Sequence, residues 1–495
     1  MALPAQHFDV VIVGAGLSGV GMACRLSSLC PRRTYAVLEA RSDVGGTWDL
    51  WRYPGVRTDS DPHTLAYPFR PWGRGVSVAQ GADICDYIRS TAAECGVADH
   101  IRSNHRVRSA SYSSRDMLWT LETAGGRFTC SFLHLSTGYY QYDGGYLPAF
   151  PGLKDFRGQI LRPMEWPAAD ALQGKKVVVI GSGATAVSLV PALAKSADHV
   201  TMLQRSPSYL ADKSGSEGAL YEAMKSVSPS LAASMTRWKY MFLATATYQM
   251  CKAFPATTRK MFIKGMTQKV PGQDPKHFTP QYNPWENRVC AVVDSDLFNA
   301  INDGRASVVT DRIDGFTGGG VRLASGEELA ADAVVMATGF NLQNRFPMSD
   351  IDVSVDGEPY EPTKTVLYRG VMLSGMPNLT FSFGYVNASW TLRADLSAVY
   401  VCRLLNYMER SGFGECRPRR PDESVGLQAG FGALDAAGYI MRSRDKLPLT
   451  GDQAPWKLEQ AYISDRFRTV WARFDDGVLH FSSGGRGAPA VMSRL

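Results

Sequence analysis

The chain lacks the cysteine patterns that would assign it to several classes of protein. Its 495 residues include nine cysteines, without a C-x-x-C pair or the cysteine and histidine spacing of a metal site. The cysteines are dispersed, at positions 24, 30, 85, 95, 130, 251, 290, 402 and 416. This dispersal argues against a disulfide scaffold and against a disulfide reductase with neighbouring cysteines. It predicts reduced thiols in a cytoplasmic protein, with no metal site.

Long apolar runs and a strong excess of one charge are missing as well. No uninterrupted apolar run reaches the roughly 18 residues that a membrane-spanning helix needs. The N-terminus enters an apolar strand without a basic flank and a cleavage site, so we expect no signal peptide. The 53 basic and 47 acidic residues are interspersed and give a net charge of +6, which argues against a nucleic-acid-binding surface.

A glycine-rich turn follows the first apolar stretch of the chain. Residues 8–13, FDVVIV, predict a strand, and residues 20–29 predict a helix. Between them lies GAGLSG, which places glycine at Gly14, Gly16 and Gly19. Such glycines let backbone N–H groups at the start of a helix approach a pyrophosphate. This unit therefore predicts a dinucleotide-binding site.

The end of the next strand indicates which dinucleotide binds there. The strand predicted at Tyr35–Leu38 runs into Glu39, twenty residues beyond Gly19. A carboxylate at this position accepts hydrogen bonds from ribose hydroxyls and repels a 2′-phosphate. The first site thus favours FAD or NAD over NADP.

Residues 45–61 concentrate glycine, proline and aromatic side chains. This composition predicts a loop without a helix, laid along the bound ligand. Its candidate ligand contacts are Gly46, Thr47 and Trp48. Asp59 and Asp61 belong to the same loop. The alternative to a role at the ligand is that they only form a turn or cap a helix.

The pattern of strand, glycine turn and helix occurs a second time. The strand predicted at Lys176–Ile180 leads into GSGATA, and the strand at His199–Gln204 ends at Arg205 and Ser206 rather than at an acid. A guanidinium at this place pairs with a 2′-phosphate and favours NADPH over NADH. The candidate contacts in the second turn are Gly181, Gly183, Thr185 and Ala186.

Two different dinucleotide sites in one chain predict a flavin that is reduced by NADPH. The expected fold is α/β, with two Rossmann-like domains. We place an FAD-binding domain at residues 1–150 and 342–495 and an NADPH-binding domain at residues 151–213 and 285–341. Residues 214–284 form a predicted helical insertion in the NADPH domain.

The insertion carries many aromatic residues and methionines at helical spacing. Apolar side chains at this spacing form a stripe along one side of a helix, and such a stripe most often packs into the protein core. The alternatives are that it lines a substrate entrance or makes peripheral contact with a membrane surface. The residues that stand out are Tyr221, Met224, Trp238, Tyr240, Met241, Phe242 and Tyr248.

The connector between the two units carries a family signature. It reads FRGQILRPMEWP, with Phe156, Gly158, Trp166 and Pro167 at the positions of the motif F-x-G-x-x-x-H-x-x-x-W-P. Together with RYPGVRTDSD, QYNPWENR, MATGF and YVNASWTLRADL, this motif resembles the class B flavoprotein monooxygenases of the Baeyer–Villiger type, and among them the ethionamide-activating group. The similarity covers nearly the whole chain.

The resemblance implies a two-dinucleotide fold with FAD, NADPH as reductant and O2 as co-substrate. It also implies two catalytic residues: Asp59 as the acid near the flavin, and Arg288 as the arginine beside flavin and nicotinamide. A guanidinium stays charged at working pH and would stabilise an anionic peroxyflavin, while Asp59 would position Arg288 through a paired hydrogen bond. The expected substrate is a ketone, converted to an ester or lactone, or a sulfide.

Arg162 occupies the usual histidine position of the connector motif. Arginine is longer, always charged and unable to accept a hydrogen bond, so the departure concerns the reaction outcome rather than the fold. Three alternatives stay open. They are an N-oxygenating flavin monooxygenase, an uncoupled NADPH oxidase, and a non-catalytic flavin-binding protein.

Overall fold

The computed structural model describes residues 5–167, 171–430 and 438–483. The strands up to the second glycine turn are β1 (Gln6–Val13), β2 (Tyr35–Leu38), β3 (Ile101–Arg102), β4 (Val107–Ser113), β5 (Leu118–Thr123), β6 (Gly126–Leu135), β7 (Tyr140–Gly145), β8 (Gln159–Leu161) and β9 (Lys176–Ile180). The next are β10 (His199–Gln204), β11 (Leu210–Lys213), β12 (Cys290–Val293), β13 (Ala306–Thr310), β14 (Ile313–Phe316), β15 (Gly320–Leu323), β16 (Glu328–Ala330), β17 (Ala333–Met336) and β18 (Phe340–Leu342). The last are β19 (Asp352–Val355), β20 (Glu358–Pro359), β21 (Leu367–Tyr368), β22 (Met372–Leu373), β23 (Leu379–Phe381), β24 (Glu415–Pro418), β25 (Leu427–Ala429), β26 (Leu449–Gly451) and β27 (Leu479–Ser482).

Helices connect and cover these strands. The first six are α1 (Leu17–Leu29), α2 (Thr47–Leu50), α3 (Pro62–Leu65), α4 (Gly81–Glu94), α5 (Ala184–Leu193) and α6 (Ala219–Val227). The others are α7 (Pro229–Ala253), α8 (Pro255–Lys269), α9 (Asp296–Asn302), α10 (Trp390–Ser411), α11 (Gly438–Met441) and α12 (Tyr462–Val470). Short 3-10 turns lie at Ala98–His100, Pro163–Glu165, Pro275–Phe278, Pro362–Lys364 and Arg444–Lys446.

The first large sheet has the order β20-β19-β4-β5-β6-β1-β2-β3, with β23 also paired to β6. Its centre is parallel, because β1 pairs in parallel with both β2 and β6. The run from Val10 to Val13 is buried, as expected for a strand with covered faces. Helices α1 and α10 pack together over this sheet, where Arg25 donates two hydrogen bonds to Asp395 at 2.7 and 3.1 Å.

The second sheet is parallel throughout, with the order β13-β10-β9-β17-β8. Its central strands β9 and β17 are rich in valine and buried, which fits a sheet covered on both faces. Strand β8 belongs to the connector and forms one edge of this sheet. The connector is therefore a structural part of the second sheet and not only a link between the two.

Helices α6, α7 and α8 form the region predicted as a helical insertion. Arg237 attaches α7 to the first sheet's side of the molecule by donating hydrogen bonds to the carbonyl oxygens of His63 (2.7 Å) and Ala66 (2.8 Å). The interpretation of the apolar stripe as core holds for Tyr221 and Met241, which are buried. It is wrong for Trp238 and Phe242, which are exposed because they lie on the side of α7 away from the buried Ala232, Ala233 and Thr236.

The prediction of a helix-free loop at residues 45–61 is wrong at one turn, α2. Gly45 and Gly46 have positive φ of 124° and 55° and redirect the chain into this turn. Asp49 then holds it in place by accepting hydrogen bonds from Arg41 at 2.7 Å and from Arg52 at 3.0 Å. In the part of the chain described, no helix combines the length and apolar character that crossing a bilayer requires.

Candidate functional site

A cavity of about 950 Å³ lies at the carboxyl end of β1, between the two large sheets and α7. Residues from both glycine turns, from the loop at 45–61 and from the insertion line it. Ligands of parallel sheets bind at the carboxyl ends of the strands. The position of the cavity therefore fits a site shared by two cofactors and a substrate.

The first glycine turn has no room for side chains. Gly14 has a φ of 101°, and a Cβ atom there would lie 2.6 Å from the carbonyl oxygen of Ser136. A Cβ atom at Gly19 would lie 1.8 Å from the carbonyl oxygen of Gly14. Gly16 caps the N-terminus of α1 without a side-chain hydrogen bond, so the first N–H groups of the helix stay available to an anion.

Glu39 lies beside this turn, buried at the carboxyl end of β2. Its carboxylate accepts hydrogen bonds from the backbone N–H groups of Ala15 (2.6 Å) and Arg41 (2.8 Å). Burial raises the pKa of Glu39, and these hydrogen bonds oppose the rise. Glu39 also lines the cavity. It thus fixes the turn as well as facing the place expected for a ribose.

Gly46, Thr47 and Trp48 line the cavity opposite the first turn. A Cβ atom at Gly46 would lie 3.0 Å from the Cα atom of Gly16, so two glycines allow the loop to approach the turn. The hydroxyls of Thr47 and Tyr142 are hydrogen-bonded at 3.1 Å. This contact holds the loop against β7.

Asp59 lies in the cavity wall among positive charges. Burial raises the pKa of its carboxyl. The charge of Arg288 opposes this rise most strongly, followed by the charges of Lys213 and Arg57. Lys213 donates a hydrogen bond of 2.9 Å to the backbone carbonyl oxygen of Asp59. The structure therefore brings Asp59 and Arg288 to the same wall, as the sequence resemblance implies.

Arg288 is exposed towards the cavity that it lines. Arg57, in contrast, is committed to Asp296, to which it donates hydrogen bonds at 2.5 and 3.3 Å. Burial lowers the pKa of Lys213, and its acidic neighbours oppose this. Of these three cations, all of which line the cavity, Arg288 is the most exposed.

Asp61 has the structural role that was the alternative for it, that of a helix-capping residue. Its carboxylate accepts hydrogen bonds from the N–H and the hydroxyl of Thr64, at 2.7 and 2.6 Å, and so caps α3. Asp59 caps no helix of the described chain. The alternative of a capping residue therefore applies to Asp61 only.

The second glycine turn is more open than the first. Gly181 has a φ of 139°, and a Cβ atom there would lie 2.3 Å from the carbonyl oxygen of Ala337. A Cβ atom at Gly183 would meet no described atom within 4 Å. Thr185 lines the cavity, whereas Ala186, the next residue of α5, is buried in the core. Only the inner edge of this turn therefore reaches the cavity.

Arg205 and Ser206 lie at the carboxyl end of β10, outside the cavity wall. Arg205 is exposed, and none of the ion pairs found between described residues involves it. The carbonyl oxygen of Ser206 accepts a hydrogen bond of 2.9 Å from Ser182 in the glycine turn. The strand end and the turn are thus joined, with a cation beside them.

The cavity gathers nine of the fifteen predicted site residues. Its lining includes Gly14, Gly16, Glu39, Gly46, Thr47, Trp48, Asp59, Thr185 and Arg288. Predicted residues outside its lining are Gly19, Gly181, Gly183, Ala186, Arg205 and Ser206.

The sequence interpretation missed two features of the site. One is Lys213, whose side chain joins the end of β11 to Asp59. The other is an aromatic contact across the cavity wall, in which the rings of Trp51 and Phe340 stack at 4.7 Å. Neither carries a motif of its own. One signal could have pointed to Lys213: it is a basic residue at the end of the strand that directly precedes the helical insertion.

Arg162 lies at the place where the chain crosses between the sheets. It lines a small pocket together with residues of β7, β18 and Thr185. Its guanidinium donates a hydrogen bond of 3.1 Å to Glu165, three residues along the connector. The side chain remains partly exposed.

Two family models match the chain. The model described as flavin-binding monooxygenase-like matches residues 79–388, and the model of the NAD(P)-binding Rossmann-like domain matches residues 12–74. Among curated proteins, the FAD-containing monooxygenase EthA of Mycobacterium tuberculosis is 46% identical over 484 residues, covering 96% of this chain and 98% of that protein. The probable FAD-binding monooxygenase AlmA of an Acinetobacter species is 43% identical, covering 97% of each chain.

Solved structures share the fold at low sequence identity. An oxidised steroid monooxygenase bound to NADP has a TM-score of 0.79 at 21% identity, covering 97% of this chain and all of that one. An open structure of cyclohexanone monooxygenase has a TM-score of 0.76 at 18% identity, with the same coverage. The predicted α/β fold with two dinucleotide-binding domains is confirmed by this likeness. By the extent of the family match and the identity to its relatives, the chain belongs to the flavin-binding monooxygenase-like family.

Proposed function

We propose that the protein is an FAD-containing, NADPH- and O2-dependent monooxygenase that transfers one oxygen atom to a ketone or a sulfide. The observation that carries this proposal is the meeting of Asp59 and Arg288 in a cavity that both glycine turns reach. Aromatic side chains such as Trp51, Tyr140 and Phe340 also line the cavity, as suits a small organic substrate.

The residues of the first unit fit FAD. The cradle formed by Gly14, Gly16 and Gly19 is one that side chains would fill, and the open N-terminus of α1 suits a pyrophosphate. Glu39 would hold the ribose, and Gly46, Thr47 and Trp48 would cover the ligand from the other side. We assign residues 1–150 and 342–495 to this FAD-binding part.

The residues of the second unit fit NADPH. The N-terminus of α5 follows Gly183 without a side-chain cap, and Thr185 lies where the turn meets the cavity. Arg205, exposed at the strand end, would pair with the 2′-phosphate, with Ser206 beside it. We assign residues 151–213 and 285–341 to this part and residues 214–284 to the helical insertion.

FAD supplies the activation of O2 when it is reduced by NADPH. The role of Arg288 is to place a permanent positive charge where negative charge develops in the cavity. Asp59 would orient Arg288, and Lys213 would hold the backbone of Asp59 in place.

A direct assay tests the proposal. The purified yellow protein should consume NADPH faster when a suitable member of a panel of ketones and sulfides is added, and mass spectrometry should find an ester, lactone or sulfoxide. An unchanged flavin spectrum after addition of NADPH would contradict the proposal and support a binding role.

A second candidate, an NADPH oxidase that releases hydrogen peroxide, is favoured by one observation. Arg162 is paired with Glu165 within the connector, so its guanidinium is engaged at the crossing between the sheets. We expect Arg162→His to raise the yield of oxygenated product per NADPH consumed, with less peroxide. An unchanged yield and product would make Arg162 a neutral variation. Glu165→Gln is the matched control, since it removes the ion pair but keeps the arginine.

The free cysteines agree with a cytoplasmic location, which we also propose. All nine cysteines belong to the described residues and are unbridged, and eight of them are buried. Reduced buried thiols are typical of proteins in a reducing compartment.

A further inference from the structure

One face of α7 presents large apolar side chains to solvent. Leu231, Met235, Trp238 and Phe242 follow one another at intervals of four, three and four residues, which places them on the same side of a helix. Their exposed fractions are 52%, 51%, 52% and 71%. Exposed apolar surface of this extent on one helix usually marks a site of interaction.

Helix α12 and the residue after it extend this surface. Ile463, Phe467 and Trp471 are spaced by four residues and are exposed by 44%, 63% and 75%. The guanidinium of Arg466 lies 5.9 Å from the ring of Trp238, so the two helices are neighbours. We call the seven side chains the apolar face; they are Leu231, Met235, Trp238, Phe242, Ile463, Phe467 and Trp471.

The helices that carry most of this face also carry the net positive charge of the protein. Residues 219–269 contain eight lysines and arginines and one acidic residue, a net charge of +7, whereas the whole chain has +6. The remainder of the chain is therefore slightly acidic. Lys260 and Lys264 are exposed one turn apart on α8, and no ion pair within the described chain involves them.

The helix that carries most of the apolar face also lines the large cavity. Lys239 and Leu243 of α7 are exposed and also line the cavity. Met241 and Tyr462 pack together beneath them and join α7 to α12. Helix α7 thus contributes side chains to the wall of the cavity as well as to the apolar face.

We propose that the apolar face is a docking surface for a lipid bilayer with anionic headgroups. Amphipathic helices that lie in a bilayer surface combine apolar side chains at the acyl boundary with lysine and arginine near the phosphates. A second copy of this chain is a poorer occupant, because the positive charge would then face itself. A small apolar substrate could pass from the bilayer into the cavity, a consequence that rests on the proposed function; docking itself does not.

Sedimentation with vesicles tests the docking. The purified, flavin-containing protein should sediment with vesicles of phosphatidylcholine and phosphatidylglycerol and much less with phosphatidylcholine alone. Because the attraction is partly electrostatic, binding should fall as salt rises. Absence of sedimentation with the anionic vesicles would overturn the proposal.

The apolar contribution is tested by Phe242→Gln combined with Phe467→Gln. Removing two exposed phenylalanines from the contact should weaken binding by about tenfold or more. The matched control is Leu29→Gln combined with Leu427→Gln, which removes two exposed apolar side chains elsewhere and should leave binding unchanged. Flavin content and NADPH oxidation without vesicles should be the same in all of these proteins.

The contribution of charge is tested by Lys260→Gln combined with Lys264→Gln. Each lysine lost should weaken binding to anionic vesicles by about fivefold. The control is Lys154→Gln combined with Lys195→Gln, which changes the net charge equally at exposed positions outside the insertion. Equal binding by both pairs of variants would reject a localised docking surface. A phenylalanine variant that loses only self-association, seen by gel filtration, would identify the face as an interface between copies.

Discussion

The two glycine turns begin from nearly the same sequence and differ in how closely they are packed. GAGLSG ends in Gly19, where a Cβ atom would lie 1.8 Å from the carbonyl oxygen of Gly14. GSGATA has Ala186 at the same place, so α5 already accommodates a methyl group there. Gly16 faces Gly46 across the cradle, whereas a Cβ atom at Gly183 would meet no described atom within 4 Å.

This difference separates an enclosed site from an open one. The first turn is covered by the loop at residues 45–61 and is fixed by the buried carboxylate of Glu39. The second ends at Arg205, which is exposed to solvent. A cofactor that stays bound through many cycles suits the first turn, and one that must enter and leave suits the second. The shared fingerprint thus supports two different modes of binding.

The strongest test of this difference is Gly19→Ala. It gives the first turn the residue that the second turn has at the same place, Ala186. The methyl group has no space beside the carbonyl oxygen of Gly14, so we expect loss of bound flavin and of soluble protein. Gly183→Ala is the matched control, and it should retain bound flavin, because a Cβ atom there meets no described protein atom within 4 Å. Absorbance of the bound flavin per mole of protein provides the measurement. A Gly19→Ala protein with full flavin content would show that the two turns are equivalent.

Arg288→Ala tests the proposed catalytic role of Arg288, in the cavity that both nucleotide units line. The variant should keep FAD and its reduction by NADPH but lose oxygenated product by about a hundredfold or more, as when a charge-stabilising donor is removed. Product formed per NADPH consumed is the quantity to measure. Arg288→Lys should recover part of the yield, because it restores the charge without the planar guanidinium. A near wild-type yield in the alanine variant would remove Arg288 from the mechanism.

Arg205→Ala sharpens the comparison at the open turn. Loss of a charged hydrogen-bonding partner of the 2′-phosphate should raise the KM for NADPH by about ten- to a hundredfold. The KM for NADH should change little, since NADH has no 2′-phosphate. Steady-state kinetics with both nucleotides makes the comparison. Equal changes in the two KM values would disprove the phosphate-binding role.

The smallest expected effect concerns His134, in the sheet behind the first turn. This histidine should make the free energy of unfolding decrease at acidic pH. It is buried on β6, hydrogen-bonded to the hydroxyls of Thr380 (2.8 Å) and Ser382 (3.0 Å). Burial lowers its pKa to about 3. Between this value and the unfolded pKa near ~6.5, the unfolded chain binds more protons, so stability falls as the pH falls.

The expected loss from His134 alone is about 1.5 kcal/mol of unfolding free energy between pH ~6.5 and ~5. In His134→Gln, which can still form hydrogen bonds but does not titrate, the fall over this range should be smaller by that amount. Urea unfolding followed by flavin fluorescence measures it. Parallel pH profiles of the variant and the wild type would show that the histidine is not titrating during unfolding.

Local chemistry explains why the two nucleotide units could be predicted from the sequence. A turn that brings backbone N–H groups to a pyrophosphate needs glycines at fixed spacing, next to an apolar strand. The strands β2, β9 and β10 match their predicted bounds for this reason. Glu39 and Arg205 could be assigned as well, because each is the residue directly after its strand, β2 or β10. The predicted membership of a flavin monooxygenase family is likewise confirmed.

The contacts of the site were less accessible to prediction because they join distant parts of the chain. Lys213, which supports Asp59, belongs to a strand 154 residues away. The turn α2 was missed because it is stabilised by ion pairs of Asp49 with Arg41 and Arg52 rather than by helix propensity. Exposure of Trp238 and Phe242 could not be deduced from helical spacing, since a stripe looks the same whether it is buried or in solvent.

The sequence by itself determined the two nucleotide units, their different strand ends and the family, because each depends on residues adjacent in the chain. Only the tertiary structure added Lys213 to the cavity wall of Asp59 and Arg288, a pair that the family resemblance already implied. It also decided that the first turn is enclosed while the second is open, and which face of α7 remains uncovered. These properties depend on how sheets and helices pack across long sequence separations, and no local pattern records that packing.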